Sequence, residues 1–102
     1  MGSSKGPELL AAAGRGDMAR LQALLPVAGE ASAVAAPDGI TPLMLAAAGG
    51  HAAAVELLLE RGADPGRRDD AGRSAAAHAR TAGHAHLAGR LDGVVDQDKT
   101  LR

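Results

Sequence analysis

The fold of this 102-residue chain is decided by one stretch, Asp38-Gly-Ile-Thr-Pro-Leu-Met-Leu-Ala-Ala-Ala-Gly-Gly-His51. Thr41 followed by Pro42 predicts a helix start, because a Thr hydroxyl caps the free N–H groups of the first turn and Pro fits the first helical position. The apolar residues after Pro42 recur at the i, i+3 and i+4 spacing of one helix face. Gly49 and Gly50 then predict the end of this short helix.

A second helical pattern follows directly. Val55, Leu58 and Leu59 repeat the i, i+3, i+4 spacing, and Gly62 predicts the end of that helix. Pro65-Gly66 then predicts a turn. The unit is therefore a helix, a tight turn, a second helix and an extended loop.

This unit recurs on both sides of the central stretch. At a forward shift of 33 residues, the counterparts of Gly39, Thr41, Gly50 and His51 are Gly72, Ser74, Gly83 and His84. At a backward shift of 34 residues, the counterparts of Leu43, Gly50, Val55 and Leu58 are Leu9, Gly16, Leu21 and Leu24. A period of this length with two short helices predicts a solenoid of stacked units.

The composition favours close packing of helices. About a quarter of the residues are Ala, 46% are hydrophobic, and Phe, Tyr and Trp are absent. Sandwiches and barrels favour β-branched and aromatic residues, so we predict an all-α fold. The lack of aromatic side chains also excludes base stacking as a way of binding single-stranded nucleic acid.

The charge and the remaining composition exclude further classes. The net charge is −1, which argues against a nucleic-acid partner, and there is no cysteine for a disulfide or a thiolate site. No apolar run approaches the roughly 20 residues needed to span a bilayer. Gly2 partly matches a myristoylation start, but Gly6 stands where Ser or Thr is required. A lipid at Gly2 is therefore the lesser alternative, and a flexible leader is expected.

The central unit resembles an ankyrin repeat in four segments: the run from Gly39 to Ala47, the pair Gly50-His51, the run from Val55 to Leu59, and Gly62-Ala-Asp64. The resemblance implies an all-α, short ankyrin-repeat solenoid with projecting loops. We expect a leader at 1–5, units at about 6–37, 38–70 and 71–92, and a polar, frayed tail at 93–102.

Two departures from the family pattern matter. Met44 stands where the motif usually has His, which puts in doubt the usual side-chain hydrogen bonds of that turn. In the third unit, Arg90 and Asp92 replace Leu57 and Leu59 on the second helix. A terminal solenoid unit needs a polar outer face, so the third unit is predicted to be a C-terminal cap, with degeneration of the repeat as the alternative.

The resemblance also implies where a partner would bind. We define the concave face as the solvent-facing side of the first helices, and the loop tip as residues 67–73 between units two and three. Loop tips carry function more often than scaffolds do. The predicted partner-binding residues on the concave face and the loop tip are Arg15, Leu45, Ala48, Arg67, Arg68, Asp70, Arg73, His78 and Thr81.

The histidines are given structural roles. His51 and His84 each follow Gly in a turn, and the resemblance implies that they tie that turn to the neighbouring backbone. His84 and His86 are two residues apart, which is not the i, i+3 or i, i+4 spacing of a helical metal site, so no metal is predicted.

We predict a non-enzymatic scaffold or adaptor that binds a protein partner. No nucleophile–base pair or phosphate-binding Gly motif is present, so neither a catalytic residue nor a cofactor is expected. The alternatives are a small inhibitor or regulator of one enzyme, and the N-terminal part of a larger protein. We expect an intracellular, cytoplasmic monomer, with the nucleus as a second location.

Overall fold

The computed structural model of the protein describes residues 5–25 and 36–100, with the side chains of 6–25 and 36–94. Within these ranges the chain is all-α, as predicted. Its helices are α1 (Lys5–Arg15), α2 (Met18–Leu24), α3 (Pro42–Ala48), α4 (Ala52–Glu60), α5 (Ala75–Thr81) and α6 (Ala85–Thr100). They form three consecutive pairs, each joined by a short turn.

The starts of the first helices follow the predicted capping chemistry. Thr41 Oγ1 accepts a hydrogen bond from Met44 N at 3.2 Å, and Met44 Sδ accepts one from Thr41 N at 3.4 Å. The sulfur of Met44 thus closes the capping box where the family motif usually has His. At the start of α5, Ser74 Oγ accepts from Ala77 N at 3.3 Å. Both loops therefore lead into a capped helix.

The core lies along the line of first helices, with α3 between α1 and α5. The alanines on the facing sides of these helices are almost fully buried: Ala12, Ala13, Ala46, Ala47, Ala75, Ala76 and Ala79. Because Ala has a single methyl group, the helix axes approach closely and few voids remain. Leucines such as Leu9, Leu21, Leu43, Leu58 and Leu91 fill the space between the first and second helices.

The turns between paired helices are stacked through glycine and histidine. Gly16 and Gly50 have φ of +69° and +73°, a backbone region that glycine adopts without strain. A Cβ atom at Gly16 would lie 2.6 Å from the ring of His51, and one at Gly50 would lie 2.6 Å from the ring of His84. Each imidazole therefore lies against the glycine of the preceding turn, and its position requires the absence of a side chain there.

The loops that lead into α3 and α5 have the same backbone pattern. Ala36 N donates to Ile40 O and Gly39 N to Ala36 O, both at 2.8 Å. In the next loop, Asp69 N donates to Arg73 O at 3.0 Å and Gly72 N to Asp69 O at 2.9 Å. The two loops also join each other, because Asp70 N donates to Asp38 O at 3.0 Å.

The ends of the chain differ in part from the expected boundaries. Lys5 is the first residue of α1, and α6 runs through the expected boundary at residue 93 to Thr100. The expected frayed tail is therefore helical as far as Thr100. Residues 1–4, 26–35 and 101–102 lie outside the described part of the chain, so the leader and the end of the first unit are not described.

The polar residues that replace leucines in the third unit form ion pairs with neighbouring helices. Arg90 and Asp92, the counterparts of Leu57 and Leu59, are exposed on α6. Arg90 pairs with Glu56 at 2.7 Å, and Asp92 pairs with Arg80 at 2.6 Å. Arg90 therefore faces the second unit, and the role of the third unit as a C-terminal cap stays a prediction.

Gly39 and Gly72 provide a matched test of the contact between the loops. Both have positive φ, but a Cβ at Gly39 would lie 3.0 Å from Asp69 Cα, whereas one at Gly72 would meet nothing within 4 Å. We expect Gly72→Ala to lower the free energy of unfolding by about 1–2 kcal/mol, because an Ala backbone is strained at positive φ. Gly39→Ala should lower the free energy of unfolding by about 1 kcal/mol more, because its added Cβ would displace the neighbouring loop. Unfolding in urea measures both losses. Equal losses in the two variants would show that the loops do not pack against each other in solution.

Candidate protein-binding surface

The concave face includes the C-terminal ends of α1, α3 and α5. Arg15 ends α1 and is exposed, Ala48 ends α3 and is half-buried, and Thr81 ends α5 and is exposed. Because α3 lies between α1 and α5, these helix ends follow one another across a single surface. The remaining solvent-facing positions carry small side chains or none: Ala11, Gly14, Gly49 and Ala82.

Leu45 differs from its expected exposure. The sequence predicts an exposed leucine, but the structure shows a half-buried side chain that packs against the core. A Cβ at Gly14 would lie 3.9 Å from Leu45 Cβ, so Leu45 covers the junction of α1 and α3. Part of its apolar side chain therefore reaches solvent, in a part of the concave face where the neighbouring side chains are small.

His78 joins the concave face to the loop tip. Its side chain is only 17% exposed, and its Nε2 lies 2.8 Å from Asp69 Oδ2. The expected partner-binding histidine is therefore already hydrogen-bonded within the chain. This bond fixes the loop tip against α5, so the loop and the helix face form one continuous surface.

Asp69 organises the loop tip from inside. Its Oδ1 accepts hydrogen bonds from Ala71 N and Arg73 N, each at 2.9 Å, and its side chain is 7% exposed. The Arg73 N–H lowers the pKa of Asp69 most; partial burial raises it, and the bonds from His78 and Ala71 N–H lower it further. Asp69 is not among the predicted site residues, although an Asp three residues before a Gly, here Asp69 before Gly72, is typical of a turn.

Asp70 and the loop arginines face outwards. Asp70 is exposed, and its Oδ1 would lie 3.3 Å from a Cβ at Gly39. Arg68 donates from a guanidinium nitrogen to Gly72 O at 2.9 Å, and Arg67 and Arg73 are exposed. The predicted loop residues therefore lie together at the tip and are exposed.

His51 and His84 lie away from this surface, in the turns. His51 Nε2 lies 3.0 Å from Gly14 O, which links the turn of the second unit to the end of α1. The ring of His84 lies against Gly50. Among the described residues, no three His, Cys, Asp or Glu side chains lie close enough together to hold a metal ion.

A groove that sequence reasoning missed lies on the opposite side, between α4 and α6. It encloses about 560 Å³, and its floor and walls include Ala52, Glu56, His86, Leu87 and Arg90. Arg90 donates two hydrogen bonds to Glu56, at 2.7 and 2.8 Å, across one end of it. A spacing pattern gives no signal for such a groove, because it depends on how far apart two second helices lie.

The sequence and the geometry agree with the comparison against known families. A scan of protein-family models matches residues 9–91 to ankyrin repeats, in three copies. The chain belongs to the ankyrin repeat family, whose members are generally protein–protein interaction modules and typically lack catalytic activity. No curated protein matches the chain significantly. In the described part of the chain, no helix combines the length and apolar content that crossing a membrane requires.

The lowered pKa of Asp69 predicts how the loop responds to acid. A carboxylate whose pKa is lower in the folded chain stabilises the fold above its unfolded pKa, and this contribution is lost as pH falls through the folded pKa. We expect Asp69→Asn to lower the free energy of unfolding at neutral pH. The difference from the wild type should shrink as the pH falls below about 4, in urea titrations over that range.

Asp70→Asn is the matched control for that experiment. It removes the same charge from the same loop, but its carboxylate is exposed and accepts none of the hydrogen bonds that organise the tip. A difference between wild type and Asp69→Asn that does not change with pH would contradict the assigned role of the Asp69 carboxylate.

Proposed function

We propose that this protein is a non-enzymatic scaffold that binds a protein partner through the concave face and the loop tip. One observation carries the proposal: the bond between His78 and Asp69 joins the solvent-facing sides of three stacked helices to the loop tip. A rigid surface of this kind loses little conformational entropy when it binds, because its parts are already fixed.

The residues on this surface suggest how contacts would form. Ala48 and Thr81 leave room for a partner backbone to approach, and Leu45 supplies an apolar contact. Arg15, Arg67, Arg68 and Arg73 supply charge and hydrogen-bond donors, with Asp70 as an exposed acid among them. Arg is enriched at binding hot spots, but Tyr and Trp anchors are absent from the chain, so we expect modest affinity.

The groove between α4 and α6 offers a competing surface. Its lining mixes Ala52, Ala85 and Leu87 with Glu56, His86 and Arg90. Glu56 and Arg90 already satisfy each other across it. We therefore assign the partner to the concave face, and the following experiment compares the two surfaces directly.

Peptides selected from a displayed random-peptide library against the full chain provide the test. Ala48→Gln together with Thr81→Gln adds uncharged bulk to the concave face, because both side chains reach solvent there. We expect this double variant to bind the selected peptides about fivefold to tenfold more weakly, measured by fluorescence anisotropy, since the added side chains keep a partner from the surface.

The control adds the same uncharged side chains to the other side of the molecule. Ala52→Gln with Ala53→Gln places them on exposed positions of α4, one of them in the groove. Peptide binding that is weakened by this control and unchanged by the concave-face variant would transfer the function to the groove. A library that yields no specific peptide would count against a peptide-binding role for either surface.

A further inference from the structure

The arginines of this protein differ in their partners according to the surface on which they lie. Away from the concave face and the loop tip, arginines pair with a carboxylate. These pairs are Arg20–Glu8 at 3.5 Å, Arg61–Glu60 at 3.6 Å, Arg80–Asp92 at 2.6 Å and Arg90–Glu56 at 2.7 Å.

Two arginines of the candidate surface, Arg15 and Arg73, lack such carboxylates among the described residues. Within the described part of the chain, the exposed guanidinium groups of Arg15 and Arg73 have no hydrogen-bond or ion-pair partner. Arg68 donates to the carbonyl oxygen of Gly72 and not to an acid. An Arg has five N–H donors in a planar group that matches a carboxylate. At least two such groups therefore remain available on this surface.

The acids near these arginines are mostly turned towards their own loops. Asp38 Oδ1 accepts from Ile40 N at 3.2 Å, and Asp64 Oδ1 accepts from Gly66 N at 2.9 Å. Asp69 accepts from the loop backbone and from His78. Asp70 is the exception, since it is exposed beside Gly39. Positive groups thus project into solvent while most of the negative groups engage backbone N–H donors.

From this asymmetry, and resting on the proposed function, we propose that the partner presents an acidic segment to this surface. Asp or Glu side chains of the partner would pair with Arg15 at the end of α1 and with Arg73 at the loop tip. Arg–carboxylate pairs can form two parallel hydrogen bonds, which gives orientation as well as attraction. Leu45 lies on α3, between α1 and α5, and would contact an apolar side chain of the same segment.

A protein segment fits this surface better than a nucleic acid. A phosphate backbone is bound by several cations along its length, and acids among those cations repel it. Here Asp70 lies among the loop arginines, and the whole chain has a net charge of −1. Separate carboxylates on a peptide can reach Arg15 and Arg73 and avoid Asp70, whereas a continuous polyanion cannot.

The composition of the selected peptides tests the proposal. We expect peptides that bind the full chain to be enriched in Asp and Glu over the unselected library. Arg15→Ala with Arg73→Ala should weaken an acidic selected peptide about threefold to tenfold, because two exposed pairs are lost. Neither guanidinium has a partner among the described residues, so this variant should keep the stability of the wild type.

The control variant removes two arginines from elsewhere. Arg20→Ala with Arg80→Ala makes the same change in net charge, but both side chains pair with acids outside the candidate surface. We expect it to leave peptide affinity within about twofold of the wild type. Asp70→Asn should act in the opposite direction to the loss of Arg73, and tighten binding, because it removes a like charge near the peptide.

The possible failures are distinguishable. Selected peptides without acidic enrichment, still blocked by Ala48→Gln with Thr81→Gln, would overturn the acidic partner and leave the proposed surface in place. Equal weakening by the two arginine variants would also overturn it, since the effect would then come from net charge alone. Binding of a single-stranded or duplex DNA oligonucleotide that Arg15→Ala with Arg73→Ala abolishes would replace the acidic peptide by a polyanion.

Discussion

The close approach of α1, α3 and α5 through alanine is the constraint on which the rest of the structure depends. Buried Ala46 and Ala47 let α3 lie directly between its neighbours, and a larger residue there would separate the units. In the same stack, the ring of His51 lies against Gly16 and the ring of His84 lies against Gly50. The composition of the chain, which lacks aromatic residues, is therefore suited to a stack of short helices.

The same stacking forms the candidate surface. Helices that approach closely on their buried sides also align their solvent-facing sides, so equivalent positions of successive units form rows. The loops then connect at the edge of these rows, where Asp70 N donates to Asp38 O and His78 bonds to Asp69. Core packing and surface geometry thus both follow from one repeat period. Buried residues and solvent-facing residues alternate along the same short helices.

Charge is distributed unevenly over this scaffold. Arginines outside the candidate surface pair with neighbouring acids, and the Glu56 side chain raises the pKa of Arg90 through their hydrogen bonds. On the concave face and the loop tip, guanidinium groups project outwards while Asp69 is held by its own loop. A chain with almost no net charge can therefore present a locally cationic surface. The local charge depends on where each arginine and each acid lie, and not on the net charge of the chain.

The sequence by itself determined the repeat, the helix starts at Thr41 and Ser74 and the turn glycines, because capping and left-handed backbone depend on residues close together in the chain. It also predicted the arginines that we assign to the candidate surface. Only the tertiary structure decided that Leu45 is half-buried, that Asp69 holds His78 and that a groove separates α4 from α6. These features depend on contacts between separate elements, for which the local pattern of residues gives no measure of distance.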